Sequence, residues 1–240
     1  MPVYCITGAN RGIGLEFVRQ LAKSPENTIL ALTRSLSSDL GDLQGAASPT
    51  THILECDVGD IQSIRSFAEQ AGKTLEKGLR IDFLVNNAGV NGTSQQNTLS
   101  LEPDGLLSQI KINVLGPAKT VEFLVEASLL ADHVRILNMT SGLASFHTIT
   151  EGKPRKSAGY SISKVALNML TVHQAEDIRS KLSGAVAILM DPGWVKTRLG
   201  GSGAVLEPRD SVGGMLNVLH KLMEEDNGAF YHHSGERLPW

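Results

Sequence analysis

Short apolar runs alternate along the chain with longer stretches in which apolar positions recur every three or four residues. The runs at residues 3–6, 28–33, 51–56, 81–86, 134–139 and 185–190 are nearly continuous, which predicts strands buried on both faces. Helical spacing is plain at residues 13–22, where Ile13, Phe17, Val18 and Leu21 share a face. It recurs at residues 61–75 with Ile64, Phe67, Ala68 and Ala71 inward. Residues 106–130 and 158–182 predict two long helices, the first softly interrupted by Gly116-Pro117. Residues 209–224 predict a late helix, and 228–231 a final short strand. Residues 35–50 begin as loop, with Leu36, Leu40 and Leu43 spaced for a turn or two of helix.

Strands that alternate with helices build βαβ units. The expected fold class is therefore α/β, doubly wound in three layers, with a parallel sheet of about seven strands. Neither an internal repeat nor a low-complexity linker divides the chain, so residues 1–240 read as a single domain. The loops at residues 90–104 and 143–157 are long, and long loops in such folds carry function.

Composition narrows the function classes. Hydrophobic residues make up 41% and charged residues 20%, which is ordinary for a soluble globular protein. The net charge is −3 without a long basic run, so no nucleic-acid partner is expected. The short basic stretch at residues 153–156 reads as a solvated loop. No apolar run approaches the ~20 residues needed to span a bilayer, and no leader pattern opens the chain. The expectation is a cytoplasmic protein with no membrane partner. Cys5 and Cys56 each fall in or beside a strand run and read as reduced, buried thiols. They lack partners at ligand spacing, as does the pair His232-His233, so no metal site is expected.

The first βα turn reads Thr7-Gly8-Ala9-Asn10-Arg11-Gly12-Ile13-Gly14. Glycines there permit a tight turn and close approach of the backbone to a ligand. The helix that follows offers free N–H groups and a positive dipole end to a pyrophosphate. The end of the second strand tests which dinucleotide is held. An acid at that position would bind a ribose 2′-hydroxyl, yet the residues are Thr33-Arg34. A guanidinium binds a 2′-phosphate where a carboxylate repels it, and Arg11 is placed to reach the same group. These residues favour NADP(H) over NAD. Asp39 and Asp42 lie further along and read as loop acids.

With these residues the sequence resembles the short-chain dehydrogenase/reductase family. The resemblance continues through Asp57, then Asn86-Asn87-Ala88-Gly89, Asn113, Ser141, Tyr160-Ser161-Ile162-Ser163-Lys164 and Pro192-Gly193, in family order over nearly the whole chain. The segment Pro192-Gly193-Trp194-Val195-Lys196-Thr197 and the ending Leu238-Pro239-Trp240 are similar to the C-factor and Sniffer-like carbonyl reductases within it. The resemblance implies a Rossmann fold and a set of roles. Asp57 and Val58 would lie beside the adenine, and Asn86, Ala88 and Gly89 would line the cofactor crevice. Asn113 would hold a relay water through a kink in its helix. Lys164 would bind the nicotinamide ribose and Thr197 the carboxamide. The implied cofactor-binding set is Gly8, Asn10, Arg11, Gly12, Ile13, Gly14, Thr33, Arg34, Asp57, Val58, Asn86, Ala88, Gly89, Tyr160, Lys164, Pro192, Gly193, Val195 and Thr197. Asn113, Ser141, Tyr160 and Lys164 form the implied catalytic set.

Tyr160 and Lys164 are four residues apart on a predicted helix and so share a face. A free tyrosine has a pKa of about 10, and a nearby ammonium is expected to lower it. Tyr160 would then exchange a proton with a substrate oxygen, while Ser141 hydrogen-bonds the same oxygen. Trp194, Phe146 and Leu143 are candidates for the substrate wall, each equally well read as core or rim. Eighteen residues lie between Ser141 and Tyr160, more than the family pattern has, and residues 151–157 read as an insertion.

The expected activity is NADPH-dependent reduction of a carbonyl (ketone, aldehyde or quinone) to an alcohol, or its reverse. Two alternatives stand beside it. One is an NAD-linked alcohol dehydrogenase. The other is a dinucleotide-binding regulatory or signalling protein with little turnover, since fold does not fix function. The two long helices resemble the family's dimer-forming pair. A homodimer or homotetramer is favoured, and a monomer stays open.

Overall fold

In the computed structural model, which describes residues 1–92, 95–150 and 157–240, seven strands form one sheet. They are β1 (Val3–Thr7), β2 (Thr28–Thr33), β3 (Thr51–Glu55), β4 (Ile81–Asn86), β5 (Leu130–Met139), β6 (Val186–Asp191) and β7 (Phe230–His232). Their order is β3-β2-β1-β4-β5-β6-β7, and every neighbouring pair is parallel. The chain therefore winds outward from β1 in both directions. Cys5 faces Leu30 of β2 on one side and Leu84 of β4 on the other. That reversal of winding opens a crevice at the C-terminal ends of β1 and β4.

Side-chain alternation divides each strand between two layers. Tyr4 and Ile6 of β1, with Ile29 and Ala31 of β2, meet helices α1 (Gly12–Leu21) and α8 (Pro208–Leu219). Cys5, Leu30 and Leu32 meet the opposite layer, built from α3 (Ile61–Thr74), α5 (Gly116–Glu126) and α7 (Ala158–Arg179). The inward faces expected for the first and third helices are found, with Phe17, Val18, Leu21, Ile64, Phe67, Ala68 and Ala71 buried and Ile13 partly buried against the same layer. Cys5 and Cys56 are free thiols in the core. Residues 35–50 hold a short helix, α2 (Gly41–Ala46), that buries Leu43.

The long helix expected at residues 106–130 is instead three pieces. These are α4 (Pro103–Ile110), a π turn (Lys111–Leu115) and α5. Pro117 is the cause. It has no N–H to donate, and its ring crowds the carbonyl of Asn113 four residues earlier. The ladder widens there, and Gly116 N–H donates to Lys111 O five residues back. Gly116 is required at this bend, because a β-carbon would lie 2.9 Å from Val58 O. The helix then ends at Glu126, and Leu130 already belongs to β5, four residues before the apolar run suggests. The late helix likewise stops at Leu219 rather than 224, and the last strand begins at Phe230 rather than 228. The loop expected at 143–157 carries α6 (Phe146–Thr150). The insertion near residues 151–157 falls almost entirely outside the described residues, as does the basic stretch at 153–156. Among the described residues no helix is long and apolar enough to cross a membrane.

α1 lies against the end of β1 because Gly14 has no side chain. A methyl group there would overlap the Gly8 carbonyl oxygen and lie 2.7 Å from Asn87 Nδ2. Gly14→Ala should therefore lift the helix and lower stability by about 1–3 kcal/mol, measured by urea unfolding. An unchanged midpoint would show that α1 accommodates the methyl without strain.

Candidate active site

The glycine loop joins β1 to α1 at the crevice. Gly8 and Gly12 adopt φ of +67° and +56°, a region that side chains disfavour. Arg11 is the N-cap of α1 in extended backbone and its side chain caps nothing, so the first N–H groups of the helix remain available to an anion. Asn10 and Ile13 complete the loop. Its shape is held from β4. Asn87 N–H and Ala88 N–H both donate to Thr7 Oγ1 at 2.9 Å. Asn87 Nδ2 donates to Thr7 O at 2.8 Å and to Gly8 O at 3.3 Å. Asn87 was not among the site residues expected from the sequence. Its place between two expected neighbours, Asn86 and Ala88, was the available signal.

Thr33 is buried at the end of β2, and Arg34 is exposed beyond it. Burial first, then the charges of Arg198 and Arg34, lower the Arg11 pKa from its ordinary value. Arg198 therefore lies within electrostatic reach of Arg11, another residue that the sequence reading did not single out. Asp57 follows β3 and accepts from Gly59 N–H at 2.9 Å, closing the turn that presents Val58 to Gly116.

Asn86 is buried and donates to Asn138 Oδ1 at 2.8 Å. Asn138 in turn donates to Thr171 Oγ1 and Gln174 Oε1 on α7, both at 2.9 Å. This polar chain ties the ends of β4 and β5 to the helix that carries Tyr160 and Lys164. Asn113 lies within the π turn. It donates to Val90 O at 2.9 Å and to Ser163 Oγ at 3.0 Å, and accepts from Val90 N–H at 2.9 Å. Its side chain thus fastens the segment beyond Gly89 to α7. A β-carbon on Gly89 would lie 3.2 Å from Asn113 Oδ1 and 3.6 Å from Lys164 Nζ.

Tyr160 and Lys164 do share a face of α7. Both are buried, and Lys164 Nζ lies 5.5 Å from the centre of the Tyr160 ring. Lys164 Nζ donates to Met139 O, at the end of β5, at 2.6 Å. Burial lowers the Lys164 pKa to about 7. The expected lowering of the Tyr160 pKa is not found. Burial and then the Asp191 carboxylate raise it well above the ordinary value. The reason is physical: burial removes the water that a phenolate needs, and a half-neutral lysine returns little charge.

Ser141 caps the short 3₁₀ turn Gly142–Ala144, accepting from Leu143 N–H at 3.2 Å. Thr140 turns away, donating to Asn168 Oδ1 at 2.6 Å. Asp191 ends β6. Its Oδ1 accepts from Gly193 N–H at 3.1 Å, and Oδ2 would lie 2.9 Å from a β-carbon on Gly142. An acid closing an apolar run was the signal for it. Pro192 O accepts from Ser211 Oγ at 2.7 Å, and Gly193 turns at φ +76°. Val195 bridges to Leu206, and Thr197 packs on the glycine loop, its Cγ2 3.3 Å from the β-carbon position of Gly12. Trp194 is committed to its own loop: Nε1–H donates to Gly200 O at 2.7 Å and the ring covers Gly203. Leu143 and Phe146 are exposed on the segment leaving Ser141.

The sequence matches the short chain dehydrogenase family over residues 2–203. The C-signal protein of Myxococcus xanthus is 34% identical over 160 residues, covering 67% of this chain and 93% of that protein. The 1-hydroxy-2-glutathionyl-2-methyl-3-butene dehydrogenase of Rhodococcus sp. (strain AD45) is 29% identical over 245 residues and matches along the full length of both. Two solved structures cover both chains completely. The NADPH-bound carbonyl reductase from chicken fatty liver has a TM-score of 0.89 at 31% identity. The carbonyl reductase Sniffer of D. melanogaster has a TM-score of 0.90 at 28% identity. On this match, together with the seven-stranded parallel sheet and its crevice, the chain belongs to the short chain dehydrogenase family.

Proposed function

We propose that this protein reduces a ketone, aldehyde or quinone to an alcohol with NADPH, working as one domain that carries both the cofactor and the catalytic residues. The observation that carries this reading is the buried Tyr160–Lys164 pair at the crevice, with Lys164 Nζ 5.5 Å from the Tyr160 ring. The donor set around the crevice fits a phosphorylated dinucleotide. Gly8 and Gly12 supply the tight turn, the first turn of α1 offers N–H groups, and Arg11 and Arg34 stand without ion pairs among the described residues. The chicken carbonyl reductase, similar along its whole length, is itself NADPH-bound.

NADPH when bound supplies the hydride. Tyr160 donates its phenolic proton to the carbonyl oxygen, a role that suits a group whose raised pKa keeps it protonated. Ser141 hydrogen-bonds the same oxygen and steadies its growing negative charge. Lys164, fixed by Met139 O, orients the ribose side of the site, and Asn113 holds the kinked helix against α7. Exposed Leu143 and Phe146 on the rim favour an apolar substrate. Exposed Leu107, Leu115, Ile162 and Met169 on the α4–α7 side support a second copy as partner, in a homodimer or homotetramer. The buried free thiols suit the reducing cytoplasm.

Tyr160→Phe should lower turnover by roughly 10²–10⁴-fold while NADPH binding, followed by fluorescence, stays nearly unchanged. Normal turnover by that variant would remove the proposed acid. In the same titration the wild-type protein should hold NADPH more tightly than NADH, and Arg34→Ala should lose about tenfold toward NADPH alone. Equal affinity for the two cofactors would favour the NAD-linked alcohol dehydrogenase. Tight binding without turnover of any carbonyl would favour the regulatory reading.

Lys164 adds a test that needs no substrate. Its folded pKa of about 7 lies below the ordinary 10.5. Between those values the unfolded chain holds a proton that the folded chain has released, so stability rises with pH across the window. Wild-type protein should gain stability relative to Lys164→Met between pH 7 and about pH 9 in urea unfolding. A difference that stays flat would mean that Lys164 remains charged throughout.

A further inference from the structure

Arg11 feels the charge of Arg34 and also that of a third guanidinium, Arg198. Thr197 packs on the glycine loop, with its Cγ2 3.3 Å from the β-carbon position of Gly12. Arg11 precedes Gly12 and Arg198 follows Thr197, so this one contact sets the two arginines at the junction of two loops. The electrostatics agree, because the charges of Arg198 and Arg34 both oppose the charge on Arg11.

All three side chains are exposed, and none makes an ion pair or a hydrogen bond among the described residues. The nearby cation Lys196 is different, being paired with Glu207 at 2.5 Å. The loop that carries Arg198 is also built rather than loose. Gly200 N–H donates to Thr197 Oγ1 at 3.1 Å, Gly201 N–H to Thr197 O at 3.1 Å, and Trp194 Nε1–H to Gly200 O at 2.7 Å. Like charges held together without an acid repel one another. They become favourable when a multiply charged anion sits among them, and guanidinium forks match phosphate oxygens in pairs.

We propose that Arg198 is a third phosphate-binding residue for the dinucleotide, contributed by the loop after β6 and closing that loop on the glycine loop. The proposal rests on the NADPH reading above and adds a residue and a loop to it. The phosphate in question is either the 2′-phosphate or the pyrophosphate of the same molecule, and the two are separable by cofactor.

The test is a fluorescence titration of wild-type protein, Arg198→Ala and Arg198→Lys with NADPH and with NADH. Arg198→Ala should weaken NADPH about tenfold, and Arg198→Lys should recover part of that loss by keeping the charge without the fork. A loss confined to NADPH assigns Arg198 to the 2′-phosphate, and an equal loss with NADH assigns it to the pyrophosphate. Because Arg198 is exposed and unpaired among the described residues, the thermal midpoint without cofactor should not fall, which separates a binding role from a folding one. Wild-type binding of NADPH with unchanged affinity in Arg198→Ala overturns this proposal alone. Failure of the wild-type protein to bind either cofactor overturns the NADPH reading and this proposal with it.

Discussion

Everything at the crevice depends on how the ends of β1 and β4 are tied together. The two strands are neighbours, paired as far as Ile6 and Val85, and the chain leaves them in opposite directions. The Thr7 hydroxyl accepts from two successive N–H groups, those of Asn87 and Ala88, while the Asn87 amide caps the carbonyls of Thr7 and Gly8. Four hydrogen bonds between Thr7-Gly8 and Asn87-Ala88 thus hold the shape of the glycine loop. A Gly8 at φ +67° and a Gly14 pressed on Gly8 follow from that fastening. A half-buried amide serves well here, because its partners are backbone groups that would otherwise lie unsatisfied at the rim of the core.

A second fastening runs across the other half of the sheet. Asn86, Asn138, Thr171 and Gln174 join β4, β5 and α7, and Asn113 with Ser163 joins the π turn to the same helix. Buried polar groups contribute little net stability but are costly to leave unpaired. Such a chain therefore specifies one register of α7 against the sheet rather than adding strength. The register matters because Tyr160 and Lys164 ride on that helix, and Lys164 is positioned by Met139 O at the end of β5.

Much of this was legible in the sequence, and the reasons differ by element. Strands buried on both faces read as apolar runs, and the chemistry-bearing residues fall at their ends, where a parallel sheet presents them. The i,i+4 spacing of Tyr160 and Lys164 carries over directly once the helix is right. The break at Lys111–Leu115 was only half visible. Gly116-Pro117 marks a disturbance, but its position depends on the Asn113 carbonyl and on Val58 crowding Gly116, which is a tertiary contact. Asn87, Asp191 and Arg198 were passed over because each acquires its meaning from a neighbour distant in sequence. The charge state of Tyr160 was misread for the same reason. Sequence spacing shows the ammonium nearby, but not the burial that weakens it.

That burial sets the charge states of the pair. It acts on Tyr160 and Lys164 with opposite signs of pKa shift and one common effect, since both groups come to prefer their neutral forms. A neutral phenol is a proton donor ready for use, whereas a phenolate in the same place must stand against both desolvation and the Asp191 carboxylate. The phenol is therefore the populated state of Tyr160 and the phenolate the rare one. Positive charge near the phenol favours the phenolate, and Lys164 carries that charge only in its protonated form, which its pKa of about 7 makes a matter of pH.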